Sequence, residues 1–123
     1  MKRALIMVSP GFEETELVTT TNILKREGIL VSLMSINKKK VVKGNSFVSI
    51  ETNIFINNVV VQDYDVLVLP GGTNGTNFAI ENQKLLSLVT NFNDNKKLIA
   101  AICAAPSILT KQGLTKKGLF TQY

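Results

Sequence analysis

The chain has 123 residues, a formal net charge of +5 and a hydrophobic fraction of 45%, values typical of one globular domain with one core. Its apolar runs are short, so we expect neither a membrane-spanning helix nor a signal peptide. A single cysteine excludes an internal disulfide and a Cys-rich zinc site, and favours a reducing, cytoplasmic setting. The lysines form short groups without interleaved aromatic residues, which indicates a solvated surface rather than a nucleic-acid interface.

The first part of the chain predicts a βαβ unit. Residues 3–8 predict a buried strand that is apolar after Arg3, and the sequence Ser-Pro-Gly at 9–11 ends it. Acidic residues then open a helix over 13–27, where negative charge suits the helix dipole. Gly28 follows as a C-terminal stop, and residues 29–36 predict a second strand.

The remainder continues the alternation of strands and helices. Residues 40–56 alternate weakly around Gly44 and Asn45 and predict an antiparallel hairpin. Further strands are predicted at 65–69 and 97–102, helices at 82–92 and 104–112, and the start of another strand at 118–123. Residues 1–123 are therefore expected to form a single α/β domain, a mostly parallel sheet covered on both faces. In such sheets, chemistry collects at the carboxyl ends of the strands.

The only cysteine, Cys103, lies in LIAAICAAP, where a predicted strand meets a predicted helix. Small neighbours suit a sharp strand-to-helix turn, which is the logic of a nucleophile elbow. Amide groups at the start of the following helix would then favour a thiolate and lower the cysteine pKa. A small hydrophobe buried at an alanine-rich strand end fits the same residues, so the local sequence leaves both interpretations open.

A chemical role for Cys103 would need a partner other than histidine, because the chain contains none. The helix-opening segment PGFEETE offers Glu13, Glu14 and Glu16, of which the first two resemble ordinary helix-start acids. Glu16 follows Glu13 by three residues and shares its helix face. One of these carboxyls could reach the cysteine corner, stay protonated beside a thiolate and donate a hydrogen bond to the sulfur.

A third candidate segment, PGGTNGTNF, follows the predicted strand at 65–69. It matches neither the P-loop nor the dinucleotide fingerprint. Gly71 and Gly72 allow the main chain to approach a ligand closely, which suits a backbone oxyanion site. A phosphate cradle in a flavodoxin-like nucleotide-binding module and a plain tight turn remain alternatives.

Taken together, PGFEETELVTT, DVLVLPGG and LIAAICAAP occur in an order and spacing that strongly resemble the DJ-1/ThiJ/PfpI superfamily, in its bacterial ThiJ-like and human DJ-1 branch. The resemblance runs from Lys2 to Gly118. It implies a flavodoxin-like three-layer sandwich, usually a homodimer, without cofactor or metal. It also implies that Cys103 is the reactive cysteine, Glu16 its partner carboxyl, and Gly72 and Ala104 the backbone oxyanion site.

The functions implied by the resemblance differ. One is a cofactor-independent glyoxalase or deglycase acting on methylglyoxal or its protein adducts, with the Cys103 thiolate as nucleophile and Glu16 as proton shuttle. A second is a non-catalytic redox sensor or chaperone that acts through a Cys103 sulfinate. Similar proteins have also been linked to thiazole monophosphate biosynthesis, or called amidases or peptidases.

The chain departs from the resemblance at its end. Many relatives carry a histidine in a strand after the elbow helix, whereas the equivalent stretch here contains Gln122 and Tyr123. Relatives also continue with further strands and a closing helix. We therefore expect a domain that lacks those C-terminal elements, and no Cys-His pair made within this chain.

Overall fold

The computed structural model describes residues 2–113, so the predicted strand at 118–123, with Gln122 and Tyr123, lies outside the described part. The elements in chain order are β1 (Arg3–Val8), α1 (Glu14–Arg26), β2 (Leu30–Ser35), β3 (Val41–Lys43), β4 (Ser49–Glu51), β5 (Ile54–Phe55), β6 (Val66–Leu69), α2 (Thr73–Ile80), α3 (Gln83–Asp94), β7 (Leu98–Ala101) and α4 (Pro106–Lys111). Two single-turn 3-10 helices, Ile56–Asn58 and Val61–Asp63, connect β5 to β6. Within residues 2–113, every helix is too short or too polar to cross a membrane.

Five strands form the central sheet, in the order β5-β2-β1-β6-β7, and each neighbouring pair is parallel. β3 and β4 form a separate antiparallel hairpin around the turn at Gly44 and Asn45. The predicted α/β class with a mostly parallel sheet is therefore confirmed. β1 lies near the centre of the sheet, which explains why its five residues after Arg3 are all buried.

Alternate side chains of β1 enter two separate cores, one on each face of the sheet. Leu5 and Met7 pack with buried residues of α2, α3 and α4, including Phe92. Ile6 and Val8 pack on the opposite face with residues of α1 and of the hairpin. The sheet is thus the middle of three layers, as expected for a flavodoxin-like sandwich.

Helix α1 begins and ends almost where the sequence predicts. Glu13 is its N-cap, and its carboxylate accepts hydrogen bonds from the amides of Thr15 and Glu16. Gly28 follows the C-cap with a φ of +81°, a left-handed conformation that glycine adopts without penalty. The acidic residues of the first turn and the glycine after the last turn therefore predicted the two ends of α1 correctly.

Helix α2 is not predicted by the sequence analysis, which treats its residues as a glycine-rich loop. Its sequence, TNGTNFAI, is rich in residues that disfavour helix interiors. Tertiary packing overrides this preference, because Gly75, Thr76 and Ala79 are buried. A Cβ atom at Gly75 would lie only 3.0 Å from the Phe12 backbone, so the close approach of α2 to the β1–α1 loop depends on glycine.

Candidate active site

The candidate active site lies where three loops meet at the carboxyl ends of β1, β6 and β7. The β1–α1 loop meets the β6–α2 loop through the Glu13 amide, which donates to the Gly71 carbonyl over 3.1 Å. The β7–α4 loop joins β6 through the Ile102 amide, which donates to the Leu69 carbonyl. Parallel strands place these loops at one edge of the sheet, as the sequence predicts.

Cys103 lies on the sharp turn between β7 and α4. Its φ of +53° is a left-handed conformation, which is costly for a residue with a Cβ atom. The Ala105 amide donates to the Ile102 carbonyl over 3.0 Å and closes the turn around the cysteine. Strained residues of this kind cluster at functional sites, and this geometry favours the elbow over the simple core interpretation.

Glu16 is the carboxyl that reaches the cysteine. The Cys103 thiol donates a hydrogen bond to Glu16 Oε2, with a sulfur–oxygen distance of 2.7 Å. The other carboxylate oxygen, Oε1, accepts from the Gly71 amide over 2.8 Å. Glu16 is partly buried and lies on the first turn of α1, so the helix start and the β6–α2 loop together fix its position.

Glu13 completes a ring of hydrogen bonds around this pair. Its backbone amide binds the Gly71 carbonyl, and the Gly71 amide in turn binds the Glu16 carboxylate. Its side chain accepts from the Glu16 amide over 3.3 Å. The helix cap therefore also positions the carboxyl that contacts Cys103.

The Glu16 carboxylate, as hydrogen-bond acceptor, raises the pKa of Cys103 to about 11. Partial burial and the negative charges of Glu16 and Glu13 act in the same direction. This is opposite to the expectation that helix amides lower the cysteine pKa. The reason is that α4 begins only at Pro106 and has six residues, whereas a carboxylate contacts the sulfur directly.

The expected backbone oxyanion site divides into two parts. The Gly71 amide already binds Glu16, so in this arrangement it positions the carboxylate rather than an oxyanion. Gly72 has a φ of +102° and lies beside the Glu13 backbone, where a Cβ atom would approach within 2.7 Å. Ala104 directly follows the cysteine in the turn. Within residues 2–113, we find no protein acceptor for the amides of Gly72 or Ala104.

Glu14 has a role that the sequence analysis did not identify. Its carboxylate accepts hydrogen bonds from the amides of Ser46 and Val48, in the turn of the β3–β4 hairpin. Burial opposes ionisation, but these backbone hydrogen bonds outweigh it and lower the pKa of Glu14. A helix-start acid and a distant turn carry no shared sequence signal, so only the fold reveals this contact.

Among residues 2–113, no group of three or more His, Cys, Asp or Glu side chains is arranged to hold a metal ion. A hollow of about 700 Å³ lies elsewhere, lined partly by Phe55, Phe78 and Lys84. Its lining includes none of Glu13, Glu16, Gly71 and Cys103, so this hollow does not contribute to the chemistry of the cysteine.

Comparison with known proteins shows the family to which the chain belongs. The sequence profile described as the DJ-1/PfpI family matches residues 2–123. The chain belongs to the DJ-1/PfpI family. Protein dj-1beta of Drosophila melanogaster is 36% identical over 99% of the chain and 65% of its own length. Protein DJ-1alpha of the same species is 39% identical over 99% of the chain and 57% of its own length.

Solved structures of family members share the fold. The crystal structure of Drosophila DJ-1beta matches with a TM-score of 0.86 and 38% identity, over 92% of this chain and 61% of that one. Oxidized DJ-1 of Toxoplasma gondii matches with a TM-score of 0.93 and 28% identity, over 100% of this chain and 67% of that one. The chain thus spans less than two thirds of the length of either fly relative.

The Glu16→Gln variant tests the control of the thiol by the carboxylate. A thiol must lose its proton to react, so a raised pKa delays alkylation until alkaline pH. The midpoint of the alkylation rate should fall from about 11 in the parent protein toward the roughly 8.5 of free cysteine in the variant. Rates measured by intact mass against pH give both midpoints, with the distant Glu51→Gln as control. A parent midpoint below that of free cysteine would contradict the prediction.

The Gly71→Ala variant tests the crowding of the loops. A Cβ atom there would lie 2.7 Å from Glu16 Oε1, 2.8 Å from the Ile102 carbonyl oxygen and 2.9 Å from Cys103 Cβ. We expect a loss of about 2–3 kcal/mol in the free energy of unfolding, measured by denaturant titration, because all three contacts must be relieved. Gly28→Ala is the control, because its Cβ meets open space and only the left-handed conformation costs about 1 kcal/mol. Equal or smaller loss in Gly71→Ala would contradict the packing described here.

Proposed function

We propose that the protein is a cofactor-independent glyoxalase or deglycase-type enzyme. Its substrates would be small dicarbonyls such as methylglyoxal, or the adducts that they form on proteins. The observation that carries this proposal is the 2.7 Å contact between the Cys103 thiol and the Glu16 carboxylate. It joins a nucleophile to a base within hydrogen-bond distance, which is the geometry that covalent catalysis requires.

In the proposed reaction, the Cys103 sulfur attacks the aldehyde carbon of methylglyoxal as its proton passes to Glu16. A carbon–sulfur bond forms, and the carbonyl oxygen becomes the oxyanion of a hemithioacetal. The amides of Gly72 and Ala104, which have no protein acceptor within residues 2–113, would stabilise that charge in the manner of an oxyanion hole. The raised thiol pKa fits this sequence, because Glu16 removes the proton during attack and no standing thiolate is needed.

Glu16 next gives the thiol proton to the oxyanion, which becomes the hemithioacetal hydroxyl, and is again a carboxylate. It then removes the hydrogen of the former aldehyde carbon as a proton and delivers it to the neighbouring carbon. The hydroxyl proton passes to the neighbouring oxygen, which leaves a thioester of lactate. Water hydrolyses the thioester, releases lactate and returns the proton to the thiol. The redox change is internal to the substrate, since one carbon is oxidised as the other is reduced. The scheme therefore uses no external oxidant and no cofactor. A reducing, cytoplasmic compartment would keep the thiol available.

Turnover of methylglyoxal to lactate tests the proposal. Cys103→Ser should remove turnover, and Glu16→Gln should lower kcat by roughly 10²- to 10⁴-fold, the usual contribution of a positioned acid or base. Alkylation of Glu16→Gln should become easier while catalysis is lost, so the two readouts move in opposite directions. Absence of turnover in a folded parent protein, or full turnover in either variant, would exclude the mechanism.

A redox-sensing function is the second candidate. The same Glu16 carboxyl could hydrogen-bond an oxygen of a Cys103 sulfinate, and a similar protein from Toxoplasma gondii is described as oxidized DJ-1. Two equivalents of peroxide would oxidise the sulfur in two steps and leave as water. Gain of two oxygen atoms in the intact mass, without dicarbonyl turnover, would favour this function over the enzyme.

We also propose that the chain forms a homodimer through α1 and the β3–β4 hairpin. A hollow of about 110 Å³ lies between Val18 of α1, Leu33 of β2 and Ile50 of β4, and its lining is mostly apolar. The hairpin also exposes Phe47, which is 78% accessible, and Val48, which is 50% accessible. Adjacent apolar surface of this kind marks protein–protein contacts.

Sedimentation velocity tests the homodimer. Val18→Lys should shift the protein toward monomer, because a charge would enter the apolar interface. Val60→Lys is the matched control, since Val60 is also exposed but lies between the 3-10 helices, away from that hollow. A parent protein that is monomeric at all concentrations, or two variants that behave alike, would exclude this interface.

A further inference from the structure

Negative charge is concentrated around Cys103, although the chain as a whole carries +5. Glu13 and Glu16 both act on the sulfur by charge, and both raise the pKa of Cys103. The Cys103–Glu16 pair shares one proton and therefore carries one negative charge. Glu13 adds a second, which the amides at the start of α1 hold in place.

Within residues 2–113, the lysines on the elements that surround the site have other contacts. Helix α2 has no charged residue, and α4 has only Lys111, in its last turn, where its ammonium binds the Ile80 carbonyl. Lys43 on the hairpin lies over the Phe47 ring, 6.0 Å from the centroid. Glu14, the third acid of the helix start, is bound to the hairpin turn.

Glu13 also lies next to the amide proposed to receive the substrate oxygen. A Cβ atom at Gly72 would come within 2.7 Å of the Glu13 amide nitrogen, so the two backbones are in close contact. Glu13 is partly buried and its carboxylate is tied to the amides of Thr15 and Glu16. These two hydrogen bonds hold the charge at the start of α1.

We infer that Glu13 is a specificity-determining residue, whose fixed charge makes the Cys103 site favour neutral electrophiles and disfavour anionic ones. Neutral dicarbonyls would be admitted, and α-oxo acids, which carry a carboxylate beside the carbonyl, would be repelled. The same charge would promote release of an anionic product such as lactate. These consequences for substrates rest on the proposed function, whereas the charge selection itself concerns any electrophile that reaches the sulfur.

The test compares alkylation of the full chain by iodoacetamide, which is neutral, and iodoacetate, which is anionic. In both reactions the sulfur displaces iodide and forms one carbon–sulfur bond, and the single cysteine makes intact mass specific for Cys103. We divide the rate constant for iodoacetamide by that for iodoacetate, and then divide this ratio by the same ratio for a free thiol. The fraction of ionised thiol is the same for both reagents and therefore drops out of the result. We expect this normalised ratio to be about fivefold, the size that Coulomb's law gives for unit charges several ångströms apart in a solvated site.

Three variants separate the charge of Glu13 from its role as helix cap. Glu13→Asn keeps a good cap and removes the charge, so the ratio should fall toward that of a free thiol. Glu13→Asp keeps both cap and charge and should preserve the ratio. Glu27→Gln, at the opposite end of α1, should leave it unchanged. High salt should lower the ratio in the parent protein, which gives a measurement that requires no variant.

Defined outcomes would overturn the inference. These are a parent ratio equal to that of the free thiol, a ratio that salt does not change, or an elevated ratio that persists in folded Glu13→Asn. Turnover of glyoxal in the presence of glyoxylate then extends the test to catalysis, because glyoxylate is an anionic aldehyde that can add to the sulfur but has no neighbouring carbonyl to receive the hydrogen. It should inhibit the parent protein weakly and Glu13→Asn more strongly. A charge-dependent alkylation ratio without glyoxal turnover would retain the selection and remove the proposed function. Turnover of glyoxal with equal inhibition by glyoxylate in the parent protein and in Glu13→Asn would remove the selection and retain the function.

Discussion

The contact between the Glu16 carboxylate and the Cys103 thiol is the interaction on which the candidate site depends. Each carboxylate oxygen has its own partner, since Oε2 accepts from the thiol and Oε1 accepts from the Gly71 amide. Glu16 comes from α1, Gly71 from the loop after β6 and Cys103 from the turn after β7. One side chain thus joins three loops at the same edge of the sheet, and any shift of those loops changes the proton held between sulfur and oxygen.

This arrangement has a cost that the rest of the structure must offset. The left-handed backbone at Cys103 is strained, and a thiol beside two carboxylates is held away from ionisation. Two buried cores, one on each face of the sheet, supply the stability that keeps the loops in place. The glycines at 71, 72 and 75 then allow the loops to approach one another more closely than residues with a Cβ atom would permit.

Electrostatics links the proposed chemistry to the proposed selectivity. A carboxylate that raises the thiol pKa also serves as the base that accepts the proton during attack, so low resting reactivity and catalysis are compatible. The acidic helix start therefore has several functions within one turn. Glu13 caps the helix and adds charge, Glu14 holds the hairpin turn, and Glu16 contacts the sulfur.

The sequence by itself determined the α/β class, the bounds of α1 and the position of Cys103 at a strand-to-helix corner, because periodicity, capping residues and small neighbours are local signals. The resemblance pointed to Glu16 as the partner, but the residues alone left the choice among three acids open. Only the tertiary structure decided the formation of α2, the partners of Glu14 and the direction of the Cys103 pKa. α2 forms despite poor helix propensity because its small residues are buried, and Glu14 finds its partners across 32 residues of chain. The direction of the Cys103 pKa likewise depends on a carboxylate 87 residues away, a distance in sequence that no local pattern spans.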